Sequence, residues 1–259
     1  MKVNEIVKFL ENKYSPVNAS DFDMGKIGLQ FGSMNMDVKK IMIALDGNSD
    51  VIEEAINEKV DMLVLHHPFM FYPMISLNYD NAFGKKILNV LNSKLNIFAM
   101  HTNFDVANGG MNDILASRLG LKNIQMTDEV VSSKTLIRIG EVDEIELSDF
   151  IDVVKEKLDE KMVRYVGDDN KIIKKVGIVG GSGSSEIFTA IRNNCDAFIT
   201  GELHHHNAYD AMDNNIALIE VSHSVERFFV ESVKKELEIE FPSLEIVISK
   251  NNVNPYKVK

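Results

Sequence analysis

Short apolar runs, each closed by a Gly-, His- or Asn-containing turn and followed by an amphipathic stretch, recur along the whole chain and restrict its fold more than any other feature. Residues 40–45 (KIMIAL), 62–65 (MLVL), 95–100 (LNIFAM), 136–140, 162–166, 175–179 (KVGIV), 197–200 (AFIT), 216–221 (IALIEV) and 244–249 read as strands. Helical spacing of apolar residues marks 3–13, 50–59, 82–91, 148–158, a segment ending near 192, 207–212 and a long stretch to about 237, and Asn112 is placed as the cap of a helix stopped by Gly120. Residues 15–32 and the aromatic-rich segment 68–81 read as loops. Strands alternating with helices predict an α/β fold, with mostly parallel or mixed sheets flanked by helices. The second half repeats this grammar with a different sequence, so the division is drawn at 1–125 and 126–259, closely packed.

Composition narrows the function. A net charge of -11 argues against a general nucleic-acid or acidic-membrane binder. A single cysteine, Cys195, excludes an internal disulfide framework and a multi-thiolate zinc site, and its place before an apolar strand suits a structural thiol. The N-terminus begins an amphipathic helix without a signal-peptide core, and no apolar run approaches the roughly 20 residues of a membrane span. A cytoplasmic protein is the expectation.

The histidines carry the chemistry. All seven, His66, His67, His101, His204, His205, His206 and His223, fall just after strands, where ligands of open α/β sheets collect. Regular strand would send His66 and His67 to opposite faces, but the alternation breaks at the exit, which Pro68 stiffens, so neighbouring imidazoles can serve two adjacent ions. Asp105 lies four residues after His101, and Glu226 three after His223, on one face of a helical turn. Imidazoles and carboxylates without thiolates suit Zn, Fe or Mn. Each residue also has a plainer reading: His66 and His67 as core or capping groups, His101 as a partner of the following turn, Asp105 as a turn residue, and His223 with Glu226 as a surface pair. For 204–206, a solvated rim or a substrate contact shared with Glu202 is favoured over metal binding. Gly180 to Ser185 (GGSGSS) can cradle phosphate at a helix N-terminus or serve as a tight turn between strand and helix; it has neither the Lys of a Walker A loop nor GxGxxG spacing, and no Ser lies in a GxSxG elbow.

KIMIALDGN, DMLVLHHPFMF, MHTNFDVANGGMNDILA, RIGEV, KKVGIVGGSGSS, DAFITGELHHH and VSHSVERFF run in this order over essentially the whole chain. Together they resemble the Nif-three-like dinuclear-metal proteins, also called GTP cyclohydrolase type 2 homologues, in their short form without an inserted domain. The resemblance implies two similar α/β lobes, with two divalent metal ions in the cleft between them. It also implies the ligands His66, His67, Asp105, His223 and Glu226, with Glu226 bridging, and a ring-shaped homohexamer. The activity implied is GTP ring opening by metal-activated water, with His101 and the His204 to His206 run as proton-transfer candidates and Glu202 and His206 as substrate contacts. A phosphoester hydrolase and a non-enzymatic metal-holding regulator are the alternatives. The chain departs from the family pattern in three places. Phe22-Asp23-Met24 is separated from Gly28-Leu29-Gln30 where many members have a continuous Trp-Asp-Asn-x-Gly-Leu loop, Ser222 stands where many have Gly, and His223 lies three positions before Glu226 where some members have four.

Overall fold

The computed structural model describes residues 1–126, 136–252, 254–257 and 259. The chain forms two compact units, one of Met1–Phe104 with Arg227–Val253, the other of Asp105–Glu226 with Asn254–Lys259.

The first unit begins with α1 (Val3–Lys13), whose Val3, Ile6, Val7 and Leu10 form one buried stripe. Next come β1 (Gly28–Phe31), β2 (Lys40–Ala44), α2 (Ser49–Asn57, capped by the Asn48 side chain), β3 (Met62–Leu65), α3 (Ala82–Ser93) and β4 (Asn96–Ala99). The β2, β3 and β4 strands are parallel neighbours in register, with Leu65 beside Ala44 and Ala99. Their residues are buried on both faces, which is why they read as unbroken apolar runs. Met42, Ala44, Leu63, Leu65 and Ile97 of these strands pack with Val51, Ile52 and Ala55 of α2 in one core. β1, inside the segment expected to be loop, adds an antiparallel edge to β4; its mixed Gly-Leu-Gln-Phe content and half-buried residues give no apolar-run signal.

The chain leaves this unit within α4 (Thr102–Val106). The second unit follows with α5 (Met111–Arg118), β5 (Lys122–Met126), β6 (Arg138–Glu146), α6 (Leu147–Lys157), β7 (Arg164–Val166), β8 (Ile172–Ile178), α7 (Ile187–Arg192), β9 (Ala197–Thr200), α8 (His205–Asp213) and β10 (Ala217–Glu220). Its sheet runs β5-β6-β8-β9-β10-β7, with β8, β9 and β10 parallel and the remaining pairings antiparallel. Cys195 lies in the hydrophobic core of this unit, and burial pushes its thiol up to about 12, as suits a structural cysteine. Both units are α/β with mixed sheets flanked by helices. Among the described residues, no helix is long and apolar enough to cross a membrane.

α9 (Phe228–Glu240) and β11 (Glu245–Ile248) then return to the first unit, where β11 pairs in parallel with β2. The sequence division at 125/126 put this segment in the second half, because strand order in space leaves no mark on local periodicity. α5 also differs from expectation: Gly110 is its cap and Asn112 lies inside it. The Asn112 side chain instead accepts from the Gly180 amide at 2.8 Å and donates to the Asp105 carbonyl at 3.2 Å.

Glu54 of α2 ties down the end of β11, accepting from Ser249 Oγ at 2.5 Å, the Lys250 amide at 3.0 Å and Asn251 Nδ2 at 3.0 Å. Burial alone would raise its carboxyl, but these donors outweigh burial and hold it below its ordinary 4.5. A carboxyl lowered on folding contributes stability that is complete above the unfolded value and is lost as pH falls through the folded one. Glu54→Gln is therefore expected to lower the melting temperature at pH 7 and to have a shrinking effect towards pH 3. Equal losses at both pH values in a thermal-melting series would contradict this role.

Candidate metal centre

In the first unit, four side chains of interest lie past the carboxyl ends of three adjacent parallel strands. Asp46 follows β2, His66 and His67 follow β3, and His101 follows β4. The ladder holds these exits: the His66 amide donates to Ala44 O at 3.4 Å, His67 to Leu45 O at 3.0 Å and Met100 to Leu65 O at 3.0 Å. One ring nitrogen from each of His66, His67 and His101 lies within 4.8 Å of the others, a group that could hold a metal ion. His66 is fully buried, its ring 5.2 Å from that of Phe229 and 6.1 Å from that of Phe104.

Two of these imidazoles are oriented by carboxylates. Asp46 Oδ1 lies 2.7 Å from His67 Nδ1, and Asp23 Oδ1 lies 2.8 Å from His101 Nδ1. A carboxylate on Nδ1 favours the proton at that nitrogen and so turns the Nε2 lone pair towards an ion or a proton donor. Asp23 is fully buried. Burying a lone carboxylate costs several kcal/mol, while charge-assisted hydrogen bonds contribute about 1.5–3 kcal/mol each. His101 and both the amide and hydroxyl of Thr102, at 3.1 and 2.5 Å, supply enough of them. Burial pushes the Asp23 carboxyl up, but His101 and Thr102 outweigh burial and hold it below the usual range, so it stays ionised.

The second unit repeats the arrangement past β8, β9 and β10. Gly180 and Gly181 follow β8, Glu202 follows β9, and a 3-10 turn, His223–Arg227, follows β10. Residues three apart eclipse in a 3-10 turn. The three-residue spacing accordingly brings His223 Nε2 to 3.1 Å from Glu226 Oε2, while Glu202 Oε1 sits 2.7 Å from His223 Nδ1. Glu226 is buried at 4 % exposure, with its carboxylate laid against the turn at Gly181. Gly181 has φ +56°, and a Cβ there would lie 2.3 Å from Glu226 Oε1. Its carbonyl accepts from the Gly201 amide at 2.9 Å, and the Gly183 amide donates to Thr200 Oγ1 at 3.0 Å. With the Gly180 and Gly183 amides engaged inside the protein, the loop acts as a tight turn that seats Glu226. The helix after it begins with a 3-10 turn and has only six α-helical residues, which favours this reading over a phosphate cradle.

Asp105 is buried, and Asn112 joins its carbonyl to the Gly180 amide. Arg138, fully buried, donates to Val106 O at 2.8 Å and Ala107 O at 3.3 Å and pairs with Asp113, which fixes the chain just past Asp105. His204, His205 and His206 are exposed; the His204 and His206 rings stack at 5.5 Å, and among the described residues none of the three belongs to a potential metal-holding group. Glu202, expected at the substrate, lies 2.7 Å from His223 Nδ1.

The donors are imidazole nitrogens and carboxylate oxygens, with Nδ1 of His67, His101 and His223 each on a carboxylate. In each unit, donors of this kind fit a borderline or hard divalent cation. Asp23 and Asp46 were not singled out as partners in the sequence. The short Asp46-Gly47-Asn48 strand exit was the only signal for Asp46, and Asp23 is 78 residues from His101.

The family model for Duf34/NIF3 (NGG1p interacting factor 3) matches residues 1–255, and the chain belongs to that family. It is 31% identical to a GTP cyclohydrolase 1 type 2 homolog of Clostridium acetobutylicum over 100% of this chain and 99% of the relative. Identity to the protein of the same name from Clostridium perfringens is 32%, over 99% of each. The fold is similar to the crystal structure of the Staphylococcus aureus protein SA1388, with a TM-score of 0.90 and 28% identity over 100% of this chain and 99% of that one.

The seat of Glu226 generates a stability prediction. Gly181→Ala and Gly109→Ala both place a side chain at positive φ, but Gly109 has nothing within 4 Å of the added atom. Gly109→Ala is expected to cost about 1 kcal/mol of backbone strain. Gly181→Ala should cost about 1–3 kcal/mol more, because the Glu226 carboxylate must move. Equal losses in denaturant unfolding would contradict the seating described.

Proposed function

We propose that this chain binds two divalent metal ions, Zn, Fe or Mn, through His66, His67, Asp105, His223 and Glu226, with Glu226 as the bridging carboxylate, and that it is a metal-dependent hydrolase opening a purine nucleotide ring, as the name of its relatives suggests. The observation that supports this reading is the gathering of one ring nitrogen each from His66, His67 and His101 within 4.8 Å, with carboxylates seated on Nδ1 of His67 and His223. Bound ions of this kind supply Lewis acidity and a lowered pKa for water.

The chain's own residues do the rest. Asp46 and Glu202 fix the tautomers of His67 and His223. Asp23 holds His101 by Nδ1, so that Nε2 is the atom that takes or gives a proton as the substrate ring opens. Thr102, hydrogen-bonded to the same carboxylate, limits its motion. Glu202 and the exposed His206 are the substrate contacts at the rim, and Glu202 also positions His223. A homohexameric ring and a cytoplasmic location complete the reading.

Metal analysis of the purified protein beside His66→Ala and Glu226→Ala is expected to show about two ions per chain in the parent and loss of metal in both variants. Full metal retention in both would contradict the ligand set. Assay of the metal-loaded parent with GTP should release formate without phosphate. Phosphate without formate would instead identify a phosphoester hydrolase, and no turnover a metal-holding regulator.

A further inference from the structure

Beside His101, and outside the proposed metal ligands, the first unit carries an aromatic surface with a cation in it. The rings of Phe22 and Phe71 lie 6.1 and 6.2 Å from the His101 ring, both edge-on to it. Lys26 Nζ stands 4.0 Å from the centre of the Phe71 ring and 5.5 Å from that of Phe22. Tyr72 extends this surface, 5.1 Å from Phe71 and 77% exposed, and Phe22 is 55% exposed.

These groups belong to two loops that are far apart in sequence and are joined by one side chain. Gln30 of β1 donates through Nε2 to Lys26 O at 2.9 Å and to Met70 O at 3.2 Å, and accepts through Oε1 from the Phe69 amide at 2.7 Å. Gln30 thus ties the backbones of the two loops together at Lys26, Phe69 and Met70, next to the residues that carry the surface. Among the described residues, Lys26 makes no ion pair with a carboxylate, in a chain of net charge -11 and beside a site rich in acids. Exposed aromatic faces offer stacking to any planar base, and a lysine without an acidic partner offers a countercharge to phosphate.

We infer that Phe22, Lys26, Phe71 and Tyr72 form a binding surface for a purine nucleotide, the base stacking on the exposed aromatic rings and the phosphates meeting Lys26, next to His101. The choice of ligand rests on the function proposed above; the surface itself contains none of the proposed metal ligands. It also gives a reason for the extra residues between Phe22-Asp23 and Gly28-Leu29: they bring Lys26 between the two phenylalanine rings while Asp23 stays on His101.

The chain has no tryptophan, so Phe22→Trp installs a single tryptophan in this surface, which excitation beyond the tyrosine band reads selectively. GTP is expected to quench its emission saturably. Adding Lys26→Met should raise the half-saturating GTP concentration about tenfold, and guanosine should bind about as weakly to the single variant as GTP does to the double one. Metal content and melting temperature are measured on the same samples, and the titration is repeated after chelation. Absence of saturable quenching in a folded, metal-loaded Phe22→Trp protein overturns the inference and leaves the metal-site reading standing. So does equal binding of GTP and guanosine with no effect of Lys26→Met. Loss of the metal-site reading, seen as a parent protein that takes up no metal, would leave quenching of the chelated protein as support for this surface.

Discussion

A neutral imidazole has one lone pair, and which nitrogen carries it depends on what the other nitrogen meets. In this protein three histidines, His67, His101 and His223, each meet a carboxylate at Nδ1, from Asp46, Asp23 and Glu202, at 2.7, 2.8 and 2.7 Å. This constraint bears on what the site can do, because a carboxylate at Nδ1 favours the proton there and turns Nε2 towards ligation or proton exchange, and at His223 that Nε2 faces Glu226 Oε2 at 3.1 Å. The three carboxylates differ in a useful way. Asp23 is fully buried and braced by Thr102, whereas the Asp46 and Glu202 side chains are about half exposed. The first pair is accordingly the stiffest, and it belongs to the histidine assigned to proton exchange rather than to a proposed ligand.

Sheet topology makes the constraint possible. In each unit three adjacent parallel strands end side by side, β2, β3 and β4 in one and β8, β9 and β10 in the other. Parallel neighbours deliver their exits to the same edge of the sheet, so an acid from one exit can meet a histidine from the next. Asp46 and His67 meet in this way, as do Glu202 and His223. The third exit of the second unit supplies the bare Gly180-Gly181 turn, and the space left by a missing Cβ is taken by the Glu226 carboxylate.

Much of this was legible in the sequence, for local reasons. Strands buried on both faces are apolar runs, so the parallel cores and the histidines at their exits could be read directly. The His223 to Glu226 spacing announced a shared face, although a 3-10 turn and not an α-helix provides it. What escaped was non-local or lacked a periodic signal. Asp23 reaches His101 from a loop 78 residues away, and nothing in Phe22-Asp23-Met24 records the encounter. The edge strands β1 and β5 alternate too little to stand out, with β5 exposed at every residue. Asn112 has the chemistry of a cap and was read as one, yet it spends its side chain on Asp105 and Gly180. The return of β11 to β2 depends on a pairing that only the folded chain reveals.

Histidine tautomers can be read directly by long-range proton–nitrogen correlation in nuclear magnetic resonance on uniformly nitrogen-15-labelled, metal-loaded protein at neutral pH. His67, His101 and His223 are expected to carry their proton on Nδ1, with Nε2 unprotonated. In Asp46→Asn and Glu202→Gln, the pattern of the paired histidine alone should lose this uniformity. Protonation of Nε2 with a bare Nδ1 in the parent protein, at any of the three, would contradict the orientation of the site on which the account depends.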